Sequence, residues 1–313
     1  VTRLVLFSPS GLVARPADLR RAAKRLGALG FDVAIDEAAL ARHQRFAGDD
    51  AGRVAALHRV ADATPSIAMA SRGGYGLTRL LDLIDWPRVA RSVEQGTRWV
   101  GHSDMTVLQL GLLAHAPGLA AARTWAGPMA CFDFGRAGEE HGEAGGGAVD
   151  EVTRDTFVEA MSGQLEAIGF RTEAGFDGLE RRGVLWGGNL AMVTSLLGTR
   201  HWPGRRVTRG GVLILEDVNE HPYRVERSLL QLAQAGVLDD QSAVLLGHFT
   251  EWKRSPLDRG YTLKRAVERV RVATRTPVLT GLPFGHVPTK VCLPVGRRVL
   301  VSVQGREAFV VWG

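Results

Sequence analysis

The 313 residues, 45% hydrophobic and 23% charged, suit one large or two medium globular domains and exclude disordered and fibrous classes. The net charge of +6 comes from 39 basic residues, all Arg except Lys24, Lys253, Lys264 and Lys290; they are scattered singly or in pairs, with no basic block or aromatic stripe, so no nucleic-acid partner is expected. Apolar runs are strand-length, short of the roughly 20 residues of a membrane helix, and VTRLVLFSPSG is not a leader peptide, so no membrane contact and a cytoplasmic location are expected.

In chain order, LVLFSPSG predicts a strand ending in a turn. Pro16 to Leu29 follows as an amphipathic helix with Leu19, Ala22, Ala23, Leu26 and Leu29 on one face. FDVAID is a strand, and residues 49–63 form a helix opened by acidic residues. SIAMAS is a short apolar run ending in RGGYG, and LTRLLDLIDW predicts a helix. TRWVGHSD is a further strand and MTVLQLGLLAHA a further helix. This alternation implies βαβ units, hence an α/β domain over residues 1–132 with a parallel, Rossmann- or flavodoxin-like sheet and its function at the carboxyl ends of the strands.

Residues 133–183 have linker composition: DFGRAGEEHGEAGGGAVDE is Gly- and acid-rich, and TRDTFVEAMSG predicts a short helix capped by Thr153 or Asp155. A domain boundary is expected there. Residues 184–313, with GVLILED, AVLLGHFTEW, a helix from Leu263 to Val272 and closing Val-rich runs, predict a β-rich C-terminal domain with few helices. Cys131 and Cys292 stand 161 positions apart with no His at ligand spacing, which suggests neither a disulfide nor a metal site, and no cofactor is expected.

Three strand ends deliver catalytic residue types. In WVGHSDMTV, Gly101 leaves room for a sharp strand-to-helix turn carrying Ser103, similar in logic to a nucleophile elbow, although Ser before a helix also serves as an ordinary N-cap. In VLILED an apolar run carries Glu216 to a sheet edge, where it either serves catalysis or pairs with Arg224 or Arg227 while Asp217 caps the next loop. In LPFGHVP, turn residues hold His286. A serine needs a base, usually His, and the base needs a carboxylate to fix its tautomer and stabilise its charge. Gly73 and Gly74 of SRGGYG, with the N–H of Asp104, supply candidate oxyanion donors. RGGYG lacks the spacing of a phosphate loop or a dinucleotide site.

ASRGGYGLTRLLDLIDW, WVGHSDMTVLQL, GPM at 127–129, WGGNLAMVTSLLGT, LILEDVNEHPYRVER and GLPFGH, in this order, resemble the LD-carboxypeptidase family of serine peptidases, which includes microcin C immunity peptidases. The resemblance implies Ser103 as nucleophile, Glu216 as acid and His286 as base. His102 stands where family members often have Phe or Tyr and is expected to be a neighbour of the base. The resemblance further implies a metal-free homodimeric enzyme of murein recycling, removing the terminal D-alanine of a murein tetrapeptide. The α/β domain would carry Ser103 and the C-terminal domain Glu216 and His286. An exopeptidase must also recognise the product-side carboxylate, and Arg72 stands beside the glycines. The rival readings are an immunity-type peptidase acting on aminoacyl-nucleotide amides and a non-catalytic muropeptide-binding protein.

Overall fold

The computed structural model describes residues 2–137 and 149–312; the Gly-rich stretch 138–148 of the expected linker lies outside the described residues. The elements are β1 (Thr2–Phe7), α1 (Pro16–Ala28), β2 (Phe31–Ile35), α2 (Asp50–Ala63), β3 (Ile67–Ala70), α3 (Trp86–Glu94), β4 (Arg98–Gly101), α4 (Met105–His115) and β5 (Thr124–Ala126). There follow α5 (Glu151–Ser162), β6 (Ala167–Arg171), β7 (Glu180–Asn189), α6 (Leu190–Leu196), α7 (Arg205–Thr208), β8 (Val212–Val218), α8 (Pro222–Gln234) and β9 (Ala243–Thr250). The last are α9 (Leu263–Ala273), β10 (Val278–Thr280), β11 (Leu293–Val295), β12 (Arg298–Gln304) and β13 (Glu307–Val311).

Two sheets organise the chain. The first runs β11-β5-β4-β3-β1-β2; its first five strands in sequence are parallel, and β11, from late in the chain, pairs antiparallel with β5. The order 2-1-3-4-5 is flavodoxin-like, and its direction reverses between β1 and β3, where a crevice opens at the carboxyl ends. The second sheet runs β10-β9-β8-β7-β12-β13-β6, parallel from β7 to β10 and antiparallel from β7 through β12 and β13 to β6. An α/β N-terminal unit and a β-rich C-terminal unit are both present.

Local chemistry explains the elements. Pro16 opens α1, where its missing N–H is harmless, and Asp18 and Arg25 complement the dipole at the two ends. Leu19, Ala22 and Leu26 form its buried face. From Val212 to Asp217, β8 is buried throughout, as expected for a parallel strand covered on both faces. Burying each such Leu or Ile stabilises the fold by about 1.5–3 kcal/mol. In β12, burial alternates along the strand, so that sheet region has a wet face.

Three expectations need correction. LTRLLDLIDW is not one helix: a 3₁₀ turn, Leu77–Arg79, is followed by irregular chain, and α3 begins only at Trp86. The start is set there because Asp85 accepts from the Arg88 N–H at 3.1 Å and a proline sits in the first turn. In the C-terminal half, PYRVERSLLQLAQ forms the 13-residue α8, capped by His221 and opened by Pro222. The described part of residues 133–183 carries α5, capped by Asp150 and not by Thr153 or Asp155, and β6, the edge of the second sheet.

Candidate active site

The nucleophile candidate sits on a turn that only close backbone packing permits. Ser103 joins β4 to α4 with φ of +61°, a left-handed conformation that costs a non-glycine residue about 1–3 kcal/mol. Gly101 leaves the necessary space: a Cβ there would stand 2.7 Å from Met105 Cγ. Gly73 lies across the serine, since its Cβ would fall 2.8 Å from Ser103 Oγ and 3.4 Å from the Asp104 nitrogen. Ser103 is therefore not an ordinary helix cap, because the residue preceding α4 in the cap position is Asp104. The Asp104 carboxylate instead accepts from the Leu77 N–H at 2.9 Å, tying the loop after β3 to the nucleophile turn.

The other two residues arrive from the second sheet. Glu216, fully buried near the end of β8, accepts from His286 Nδ1–H at 2.8 Å. It does not pair with Arg224, which binds Glu220 at 2.5 Å. Gly285 permits the approach, for a Cβ there would stand 3.1 Å from Glu216 Oε2. The same carboxylate accepts from Asn189 Nδ2 at 3.2 Å through its other oxygen, and Asn189 also reaches Asp217 at 2.9 Å. With Nδ1 committed to Glu216, the ring nitrogen left to accept a proton is Nε2.

The two units meet tightly at this point. Thr106, in the first turn of α4, accepts from the Asn189 N–H at 3.0 Å, and a Cβ on Gly188 would collide with its hydroxyl at 2.4 Å. The carboxyl ends of β4, β7 and β8 thus converge. A cavity of about 360 Å³ opens there, lined among others by Ser103, His286, Gly73, Gly74, Arg72 and Phe132.

The electrostatics separate the candidates. Burial works to lower the basicity of His286, but its hydrogen bond to Glu216 and the nearby acidic charge outweigh this and hold its pKa above the usual range. His102, edge-on to His286 with ring centroids 5.0 Å apart, is held well below that range by burial and by the charge of His286. Its Nδ1–H donates to the Gly127 carbonyl at 2.9 Å, so it is a neutral neighbour of His286. Cys131 also lines the cavity, but burial pushes its thiol up to about 12, leaving almost no thiolate. Asp217 is pushed up to about 6 by burial and then by the charge of Glu216. Among the described residues, no group of three His, Cys, Asp or Glu is arranged to hold a metal ion.

Sequence reasoning missed Asn189, although an Asn after paired glycines at a strand end is a recognisable cap signal; it caps α6 by accepting from the Met192 N–H at 3.2 Å. It also missed a fully buried pair, Lys290 Nζ with Asp133 Oδ1, next to Phe132. Asp133 belongs to a wide π-type turn, Ala130–Phe134, that contributes Cys131 and Phe132 to the cavity wall.

Residues 4–122 match the model of the LD-carboxypeptidase N-terminal domain and residues 182–301 that of the LD-carboxypeptidase C-terminal domain. The chain belongs to the LD-carboxypeptidase family. It is 36% identical to the muramoyltetrapeptide carboxypeptidase of Oxalobacter formigenes, whose crystal structure superimposes with a TM-score of 0.86 over 100% of this chain and 99% of that one. It is 29% identical to the probable murein peptide carboxypeptidase of Bacillus subtilis (strain 168) over 94% of this chain and 87% of that protein. At 18% identity, the structure of MccF in complex with glutamyl sulfamoyl guanosine shares the fold, with a TM-score of 0.82 and coverage of 100% and 96%. As a member of this family the protein is a peptidase. No helix among the described residues is long and apolar enough to cross a membrane.

Proposed function

We propose that this LD-carboxypeptidase removes the terminal D-alanine from murein tetrapeptides by hydrolysing the bond between the L-centre of a diamino acid and D-Ala, through Ser103, His286 and Glu216. One observation carries the reading: a His286–Glu216 pair at 2.8 Å borders the cavity that also holds Ser103 on a left-handed turn under Gly73.

The chemistry follows from the nitrogen assignments. His286 Nε2 takes the Ser103 proton as Oγ attacks the scissile carbonyl, and Glu216 stabilises the imidazolium that forms. The N–H groups of Asp104 and of Gly73 or Gly74 bind the developing oxyanion, each donor worth about a hundredfold to a thousandfold in rate. His286 then gives its proton to the departing D-Ala nitrogen, and water, activated by the same imidazole, frees the acyl group from Ser103. The serine comes from the first unit and its activating pair from the second, so the α4–β7 contact holds the two parts of the machinery together.

Mass spectrometry of a murein tetrapeptide before and after incubation tests this. Wild type is expected to remove one alanine and Ser103→Ala to lose activity by about 10⁴-fold or more. Undiminished cleavage by Ser103→Ala overturns the mechanism, and an intact tetrapeptide with wild type overturns the substrate.

A further inference from the structure

We infer that Arg72 is the receptor for the free carboxylate of the departing amino acid, and so the residue that restricts this peptidase to chain ends. The inference rests on the reading of Ser103 as nucleophile and adds to it the subsite that selects the substrate.

The charges lining the cavity do not cancel. Arg15, Arg72, Arg136 and Asp18 all border it. The Asp18 carboxylate is already shared by Arg15 at 2.9 Å and Arg21 at 3.1 Å. Arg136 lies over the ring of Phe132, 3.7 Å from its centroid. Arg72 is half-buried, and among the described residues no carboxylate pairs with it. A partly buried charge without a counter-ion is costly to keep, which favours a role that an incoming anion completes.

The guanidinium is also held in place before any ligand arrives. Nη1 donates to the Leu12 carbonyl at 3.0 Å. A Cβ on Gly11 would stand 3.6 Å from Nε, and one on Gly74 would stand 3.6 Å from Nη2, so the group lies between two bare stretches of backbone. The Gly11 N–H donates to the Gly73 carbonyl at 3.2 Å and closes this cradle. With Nη1 occupied, the Nε–Nη2 edge remains, and that edge takes a carboxylate through two parallel hydrogen bonds.

Its placement fits the reach of the substrate. In an α-amino acid leaving group, one carbon separates the scissile nitrogen from the carboxylate carbon, a span of about 2.5 Å. The receptor must therefore stand very near the nucleophile. Arg72 immediately precedes Gly73, the residue that packs on Ser103. An internal peptide bond or a terminal amide presents no charge there and leaves the guanidinium uncompensated.

The test compares a murein tetrapeptide with its C-terminal carboxamide, both as substrates of the active enzyme and as ligands of Ser103→Ala in calorimetry. Wild type is expected to prefer the free acid by about 10²- to 10³-fold in kcat/KM, and Arg72→Met to lose about 10²-fold on the acid but far less on the amide, so that the preference collapses. Arg72→Lys, which keeps the charge but not the fork, is expected to recover only part of the loss; it also serves if Arg72→Met fails to fold. An acid-to-amide ratio unchanged in Arg72→Lys and Arg72→Met, with alanine still released, overturns this inference and leaves the proposed function standing. An Arg72-dependent preference for the acid in binding, with no alanine released by wild type, supports the subsite and overturns the proposed reaction. Equal treatment of acid and amide by wild type also overturns the inference.

Discussion

Among the described residues stand two clusters of paired imidazoles and a carboxylate, and they differ in what a reaction needs. In the first, His102 and His286 have centroids 5.0 Å apart and His286 donates to Glu216 at 2.8 Å. In the second, His115 and His201 have centroids 4.9 Å apart, and His201 Nε2 meets Asp82 at 2.8 Å. By residue type and spacing the two are nearly the same. In the second, however, His201 spends its other nitrogen on His115 at 2.8 Å, so both its ring nitrogens are engaged within the cluster. Asp82 is 69% exposed and shared with Arg200, whereas Glu216 is fully buried. In the first cluster the two imidazoles do not bond to each other; His102 is turned to the Gly127 carbonyl, and His286 faces the cavity that holds Ser103. A His–carboxylate pair thus becomes chemically useful when one nitrogen is left over, the carboxylate is dry and a strained nucleophile stands beside it.

The largest expected break in this contrast is Glu216→Gln, which keeps the shape of the first cluster but removes its charge. Activity on the tetrapeptide should fall by about 10³- to 10⁴-fold, the size of effect seen when a triad carboxylate is made neutral. The pH profile should change as well. Under the proposed mechanism His286 must be deprotonated to act, so wild-type activity is expected to fall as pH drops through a pKa held above the ordinary histidine value. Burial alone lowers that pKa, so with the Glu216 charge gone the acid limb should move to lower pH. An acid limb that stays in place in Glu216→Gln, measured as kcat/KM against pH, removes His286 from the role of base.

A smaller effect is expected behind the first cluster. Lys290 Nζ binds Asp133 and the Val287 carbonyl, and both side chains of the ion pair are almost fully buried. The pair fastens the segment after His286 to the turn that carries Phe132, which meets His286 edge-on at 6.4 Å. Lys290→Met leaves Asp133 buried without its partner and should destabilise the fold by about 3–5 kcal/mol in urea unfolding. The double variant Lys290→Met with Asp133→Asn should recover most of that loss, because breaking a buried pair costs more than replacing both partners. Equal stability of the single and double variants shows that the pair contributes no coupling.

Much of this was legible in the sequence, and the parts that were not share a cause. Strand and helix signals alternate cleanly in the first 130 residues because each is a local periodicity, and the parallel sheet follows. Ser103, Glu216 and His286 stand out because each ends an apolar run with a residue type that chemistry uses. The helix expected over LTRLLDLIDW shows the limit of periodicity: its leucines have helical spacing, yet Asp85 and the following proline start the helix at Trp86. In α8 the start signal, Pro222 after His221, was present but carried a charged first half that resembles a loop. Lys290 and Asp133 are 157 positions apart, and such a contact leaves no local pattern. Likewise, the destination of Glu216 was open between an arginine and a histidine until the Gly285 turn fixed it.

The smallest expected effect tests the second cluster directly. Asp82→Asn removes the carboxylate from His201 and Arg200 while keeping its size, just as Glu216→Gln does in the first. The Asp82 carboxyl is held below the usual range first by Arg200 and then by His201, but the pair is exposed to solvent and screened. Because neither ring nitrogen of His201 faces a nucleophile, kcat/KM on the tetrapeptide should stay within about twofold of wild type, as is usual for an exposed ion pair. The acid limb of the pH profile should stay in place as well. A loss comparable to that of Glu216→Gln means that the chain from Asp82 through His201 to His115 acts on the α4 helix and through it on Ser103. The two clusters would then be coupled ends of one device.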